Sequence, residues 1–465
     1  MKRFTRIQVA KRGLCLLSLG LLSLGLGAWS GTTCQAQDWP QWMGLERQGT
    51  FHSDSQVTEF KDGDLKEAWS VPVKMGYAGP TVANGRVFLM DWELTPEQQK
   101  AKEPGTERVL CFDESTGEVL WEKAYPKVYR ISYPFGPRTT CAVEGERVYA
   151  LGAMGNLWCL NVEDGSEIWS IDFLDGFAEK PPFWGFAAHP FIDGDQLICV
   201  VGGEGSALVS FDKLTGDVLW KSHTAEDVAY SPPVIAEKGE QRQLIYWHDF
   251  GIVSVDPSNG KVLWKKPYAD PAKAQGPAVV IATPVVHDDK LLVGDFYSGS
   301  TLWDLGPTWE GKEPTIVWQD DPEDQRHREG LNSLMGTPVV VEGFVYGVSG
   351  MGEMRCLDFN TGKVQWRSFE PVAGETAVFG TAFLIPTDGK RCWIFNDQGE
   401  LILAKLDPEG YQELGRQKIL EPLSRARGRI VVWSHPAFAN NSVFARNDEV
   451  MVKLPLDKSA PVTQE

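Results

Sequence analysis

One unit recurs along this chain and limits what the chain can become: an apolar strand, an Asp or Asn, a short turn containing Gly, and a second strand ending in Trp. Clear copies run from Cys111-Phe112-Asp113-Glu114-Ser115-Thr116-Gly117 to Trp121, from Phe211-Asp212 through Gly216 to Trp220, from Val255-Asp256 through Gly260 to Trp264, and from Leu357-Asp358 through Gly362 to Trp366. Asn161 to Gly165 with Trp169 is a close variant, Trp303-Asp304 with Trp318 carries an inserted loop, and Asp407-Pro408-Glu409-Gly410 has lost its Trp. Trp121, Trp169, Trp220, Trp264, Trp318 and Trp366 follow one another at 48, 51, 44, 54 and 48 residues. Asp and Asn close side-chain turns, and Gly supplies the positive φ of a tight hairpin. A sheet of four strands per repeat cannot bury both faces alone, so the repeats must stack around an axis. The Trp ring is then large enough to cover the turn of the next repeat.

A second pattern marks where each repeat begins: a small or polar residue before Pro or a β run, then an acidic or Asn turn and another strand. It occurs at Gly79-Pro80, Thr140, His189-Pro190, Ser231-Pro232, Thr283-Pro284, Thr337-Pro338, Thr381 and His435-Pro436. Eight starts predict an all-β chain, an eight-bladed β-propeller of four-stranded antiparallel blades. Trp69 ends a strand that has no start before it, and the start at His435 has no outer strand after it. The strand near residues 66–71 is therefore expected to complete the last blade, so that N- and C-terminal strands pair and no sheet edge is left open.

Residues 1–36 read as a signal peptide and residues 37–465 as the single propeller domain. Lys2, Arg3, Arg6, Lys11 and Arg12 precede an apolar stretch from Leu14 to Trp29, and Cys34-Gln35-Ala36 offers a cleavage site after Ala36. A lipoprotein anchor on Cys34 is the competing reading, although Thr32 and Thr33 stand where small Ala or Gly is expected. The mature chain is expected to be periplasmic or secreted, with no transmembrane segment. Its net charge of -18 repels phosphate backbones, which excludes nucleic acid as a partner class. Export permits disulfides. Even so, Cys111, Cys159 and Cys356 occupy equivalent positions in separate repeats, and no CxxC or CxxCH is present, so the cysteines read as small buried hydrophobes.

These repeats resemble the PQQ-type (pyrroloquinoline quinone) propeller repeat, from about Trp39 to Leu456. Trp39-Pro40-Gln41-Trp42-Met43-Gly44 is similar to the W-P-Q-W-R-G opening of bacterial quinoprotein-like propellers, with Met43 in place of Arg. Phe183-Trp184-Gly185-Phe186-Ala187-Ala188-His189-Pro190 is similar to their W-G-x-A-x-S-P segment. The resemblance implies one of two functions. Some members are dehydrogenases holding PQQ and calcium; others, of the BamB type, use the ring to bind proteins. Members with PQQ commonly carry adjacent cysteines, and this chain has none.

No catalytic residue, metal cluster or cofactor site is read from the residues, and a binding platform for an envelope protein or a polymer is the expectation. A PQQ- or other cofactor-dependent oxidoreductase is the alternative, and a polysaccharide-binding partner of envelope enzymes is the second. The loops before the inner strands should surround one mouth of the axial channel. That places Tyr133, Phe135, Arg138, Trp184, His189, Tyr230, Arg328, Glu329, Asn332 and His435 at its rim. His189 and His435 replace the usual small residue before Pro, which suggests a metal or, more simply, a hydrogen bond capping each blade. His248-Asp249 reads as a catalytic pair or a satisfied turn histidine. Arg425, Arg427 and Arg429 would share one face of a strand, where they would bind an anionic group or acidic partner, or line a solvated loop. Phe183, Trp184 and Phe186 form an aromatic cluster suited to recognition or to packing.

Overall fold

Each turn-Gly-Trp unit forms the two outer strands of a four-stranded antiparallel blade, and eight such blades are present among the described residues. The computed structural model describes residues 37–53, 57–133, 136–268, 279–321 and 329–456. Blades 1 to 7 span residues 81–127, 142–172, 191–222, 234–267, 285–319, 339–368 and 382–418. Blade 8 takes three strands from residues 437–455, and its fourth is Trp69–Pro72. Trp69 pairs with Lys453 and Pro72 with Val450, so the ring closes between distant parts of the chain, as the unpaired Trp69 strand predicted. Arg446, fully buried, reinforces the closure: its guanidinium donates to the carbonyls of Lys74 and Gly76 on the segment entering blade 1. The expected signal peptide lies outside the described residues.

The outer hairpins share one irregularity. In blades 1 to 7 the register slips by one residue at the same point, as between Cys111 and Phe112 or between Ser210 and Phe211. Such a bulge sharpens the local twist. Just before it the partner is Trp121, Trp169, Trp220, Trp264, Trp318 or Trp366 in the first six blades. The indole N–H of Trp69, Trp121, Trp169, Trp220, Trp318 and Trp366 then bonds to a turn carbonyl of the following blade at 2.8–3.3 Å. Gly165, at φ +68, lies so close under Trp121 that a Cβ would sit 2.5 Å from the ring, which is why this turn needs Gly for space as well as for backbone. Trp264 differs: it bonds to Gln243 of its own blade, because the turn it would cover in blade 5 is replaced by the 3-10 turn Gly306–Glu310.

The core lies between blades. Phe88, Val109 and Cys111 of blade 1 pack on Val148, Ala150 and Leu160 of blade 2, all nearly inaccessible. Each Val, Leu or Phe among them contributes roughly 1.5–3 kcal/mol by leaving water. A larger cluster joins blades 7, 8 and 1 with Trp39, Phe51, Phe60 and Leu65 of the N-terminal segment. All six described cysteines are buried and unpaired, and burial pushes the Cys111, Cys141 and Cys159 thiols up to about 12. The polar stretch after Asp91 contains one short helix, Pro96–Ala101, capped by Thr95 and Gln98. Its flanks are strands: Asp91 is fully buried against Arg108 at 2.6 Å and Glu107 against two tyrosines. Among the described residues no helix is long and apolar enough to cross a membrane.

Candidate functional site: an aromatic axial cavity with two guanidiniums

The segment following each outer strand crosses toward the axis before the next blade begins, and each brings one side chain to a shared space. Counting from the Pro of each start, or its equivalent, the third residue before it is Tyr77, Arg138, Ala187, Ala229, Ile281, Met335, Phe379 or Trp433. Seven of these eight line one cavity, and in the fourth blade Tyr230 takes the place of Ala229. Ala229 has a left-handed backbone (φ +56), which accompanies this one-residue change. The wall is uneven. At this position Phe379, Trp433, Tyr77 and Arg138 give blades 7, 8, 1 and 2 an aromatic, cationic side, while blades 3, 5 and 6 supply the aliphatic Ala187, Ile281 and Met335 beside Trp184, Tyr230 and Tyr297.

The floor is Trp42. Its ring stacks on His189 at 3.9 Å with planes 9° apart, lies 4.5 Å from His435, and its indole N–H bonds to Thr283 at 2.9 Å. One tryptophan therefore touches blades 3, 5 and 8 and blocks the channel. His189 is held by Thr140, whose backbone N–H donates to its Nδ1 at 2.9 Å. It thus ties blade 3 to blade 2, where a cap within its own blade was the simpler expectation. His435 donates from Nδ1 to the Pro436 carbonyl. Burial holds His189 well below the ordinary histidine range and His435 at about 4, so both are neutral at pH 7.

Two cations reach the cavity. The Arg138 guanidinium is spread over the carbonyls of Ser132, Tyr133 and Gly136 and lies over Tyr77 at 5.2 Å. Burial lowers its pKa. Arg427 is exposed and stands 5.0 Å over Phe379. Among the described residues no carboxylate lines the cavity. The buried Tyr77 hydroxyl and the indole N–H groups of Trp184 and Trp433 have no partner among the described atoms. The lining is therefore rich in donors and poor in acceptors. Tyr133, Phe379 and Arg427, all at the cavity, have φ of +51, +60 and +43. Bulky side chains seldom adopt that region, and such outliers gather at functional sites.

Of the ten residues expected at the rim together with His248 and Arg427, Tyr133, Arg138, Trp184, His189, Tyr230, Arg427 and His435 line this cavity. Phe135 and Arg328 lie outside the described residues. Three others are elsewhere. Glu329 is drawn out to Arg367, the Asn332 carbonyl accepts from the Gly350 N–H, and His248 ends the second strand of blade 4 beside Asp249. Arg425, Arg427 and Arg429 do not share a strand face either. Ser424–Ala426 and Arg429–Val431 form a hairpin with Arg427 in its turn, and Arg429 is pinned by Asp397 at 2.8 Å. Trp42, Tyr77, Phe379 and Trp433 were missed by sequence reasoning, although the position three before each blade start would have named the last three.

The dehydrogenase branch of the resemblance calls for calcium, which needs six to eight oxygen ligands, mostly carboxylate and amide. Among the described residues the cavity lining offers guanidinium, indole and phenol groups and no Asp, Glu, Asn or Gln, so these residues do not fit that ion.

The family model described as outer membrane protein assembly factor BamB matches residues 105–368 and 309–462. The BamB of Yersinia pestis is 23% identical over 278 residues, which cover 57% of this chain and 65% of the relative. That of Escherichia coli (strain K12) is 23% identical over 262 residues, 55% of this chain and 60% of the relative. Less than two thirds of either relative is thus covered. Among solved structures, BamB from Moraxella catarrhalis superposes with a TM-score of 0.57 at 14% identity, over 85% of this chain and 99% of that one. Quinohemoprotein alcohol dehydrogenase from Comamonas testosteroni gives 0.61 at 12% identity, over 94% and 83%. These structural likenesses speak to the fold, and the family match speaks to descent: this chain belongs to the PQQ-type propeller family described as outer membrane protein assembly factor BamB.

Proposed function

We propose that this protein is a non-catalytic binding platform of the bacterial cell envelope, and that its axial cavity grips an acceptor-rich, anionic segment of a protein or polymer. One observation carries the reading: among the described residues the cavity lining presents two guanidiniums and partnerless N–H and O–H donors beside aromatic rings, and no carboxylate. A buried donor without a partner is costly, and a ligand supplying acceptors removes that cost. Aromatic rings and Arg are also the groups that dominate binding energy at protein interfaces. The expected signal peptide, with anchoring at Cys34 as its variant, supports an envelope location, as do the BamB relatives, whose name concerns outer membrane protein assembly. No resident cofactor is needed for this role.

Two other readings have specific support. The fold is shared with a quinohemoprotein dehydrogenase, which keeps a PQQ- or other cofactor-dependent oxidoreductase in view. Stacked aromatic rings also suit the sugars of an acidic polysaccharide, as in a partner of envelope enzymes. Thermal shift of the mature protein with polyglutamate, polygalacturonate, and PQQ with and without calcium separates the three. A salt-sensitive rise in Tm with an anionic polymer, lost in Arg427→Glu, supports the platform, and polyglutamate or polygalacturonate alone indicates which polymer class. A calcium-dependent rise with a bound-quinone spectrum would instead establish the enzyme.

A further inference from the structure

We propose that His223 and His248 form a binding site for a late first-row transition-metal ion, Zn²⁺ or Cu²⁺, on the rim between blades 3 and 4. His223 follows the last strand of blade 3, and His248 ends the second strand of blade 4. Their Nε2 atoms are 3.2 Å apart and their ring centroids 5.0 Å. An in-line N–H···N bond of that length would separate the centroids by about 5.5 Å. Two imidazoles converging on one ion about 2.1 Å from each nitrogen would bring them to about 5 Å. The observed rings converge, as ligands do.

The surroundings point the same way. Asp249 Oδ1 lies 2.6 Å from His248 Nδ1 and accepts its proton, which leaves the Nε2 lone pair directed at His223. A carboxylate behind a histidine is the usual outer partner of a metal-bound imidazole. Asp249 is itself oriented, its Oδ2 accepting from the Asp227 N–H at 3.2 Å. His223 Nδ1 is buried without a partner, so a hydrogen bond to His248 alone leaves one of its nitrogens unsatisfied. The backbone of His223 is left-handed, at φ +64. Gly251 keeps the space beside the nitrogens open, since a Cβ there would lie 3.1 Å from His248 Nε2. No group of three or more His, Cys, Asp and Glu suited to a metal occurs among the described residues. The site therefore offers two imidazoles, with the remaining positions left to water or to a ligand from a partner. Imidazole ligands select Zn²⁺ and Cu²⁺ over Mg²⁺ and Ca²⁺. A bound ion would fasten the segment from Thr224 to Ser231, which carries the cavity residue Tyr230, to blade 4.

The test uses untagged mature protein stripped with a chelator. Calorimetric titration with Zn²⁺ is expected to show about one equivalent bound, and the Cu²⁺ form an EPR spectrum split by two imidazole nitrogens. His223→Gln and His248→Gln should each weaken Zn²⁺ binding by at least about tenfold, and His287→Gln, at a separate half-exposed histidine, should leave it unchanged. If His248→Gln fails to fold, the half-exposed His223→Gln and the wild-type EPR spectrum still decide. The proposal is overturned if the wild type takes up no Zn²⁺ at roughly 100 µM, or if uptake persists unchanged in the folded double variant. The two histidines would then share a hydrogen bond and nothing more.

Discussion

The ring of Phe60 lies against Gly415, where a Cβ would sit 2.5 Å from it. Gly415 pairs with Leu403 just before the outer-hairpin bulge of blade 7, the register that holds Trp in the six preceding blades. The blade that lost its tryptophan is thus sealed by a phenylalanine from the N-terminal segment, which also stacks on Trp393 at 5.8 Å. Phe60→Ala should cost about 3–5 kcal/mol in urea unfolding. Gly415→Trp should be destabilising while Phe60 is present. Combined with Phe60→Ala it should be much less so, giving a coupling energy of at least about 1 kcal/mol. Simple additivity would mean that the two do not share one space.

Trp42 is expected to behave as a structural plug. Trp42→Phe keeps most of the stacking on His189 and loses the bond to Thr283, so it should cost about 1 kcal/mol. Trp42→Ala removes contacts to three blades and should cost about 3–5 kcal/mol. Chemical denaturation of the two variants checks the order, and equal effects would contradict it.

Acid should weaken the ring through its buried histidines. The folded value of His435 is held at about 4, below the ordinary 6.5, so the unfolded chain takes up the proton first. Stability from this group is full above about pH 6.5 and falls as the pH drops toward about 4, by at most roughly 3 kcal/mol. His189 acts in the same direction. Melting temperatures of wild type and His435→Asn between these limits should converge as the pH falls, and parallel curves would refute the assignment.

Much of this architecture was legible because its physics is local. The Asp-turn-Gly-Trp unit announces a hairpin, and eight blade starts, six of them marked by Pro, with one orphan strand at Trp69 announce a closed ring. The exchange of Phe60 for a missing tryptophan was not legible, since a glycine at 415 and a phenylalanine at 60 are joined only by the closed fold. The cavity was half legible. Arg138 and Tyr230 stood out as polar or aromatic residues near blade starts and Arg427 in an alternating arginine run, whereas Trp42 sits in an opening motif read only as a family mark. His248 and Asn332 went astray for one reason: nearness to a rim loop in sequence does not say how far from the axis a residue lies. Alternation of Arg425, Arg427 and Arg429 suggested one strand, but Gly428, at φ +89, turns the chain into a hairpin.

The central claim is that the axial cavity is where a ligand binds. Phe183 is exposed and packs edge-on against the cavity residue Trp184 at 5.4 Å, so a benzophenone amino acid in its place samples the mouth with little change of shape. Leu219, exposed on the outer strand of blade 3, provides the control position. Photo-crosslinking in cells that make the protein, followed by mass spectrometry of the adducts, is the most direct measurement. Adducts to an envelope protein or an anionic polymer at position 183, absent at 219 and lost when Arg427→Glu is added, are the predicted result. Adducts confined to position 219, or adducts at 183 that persist in Arg427→Glu, would contradict the account.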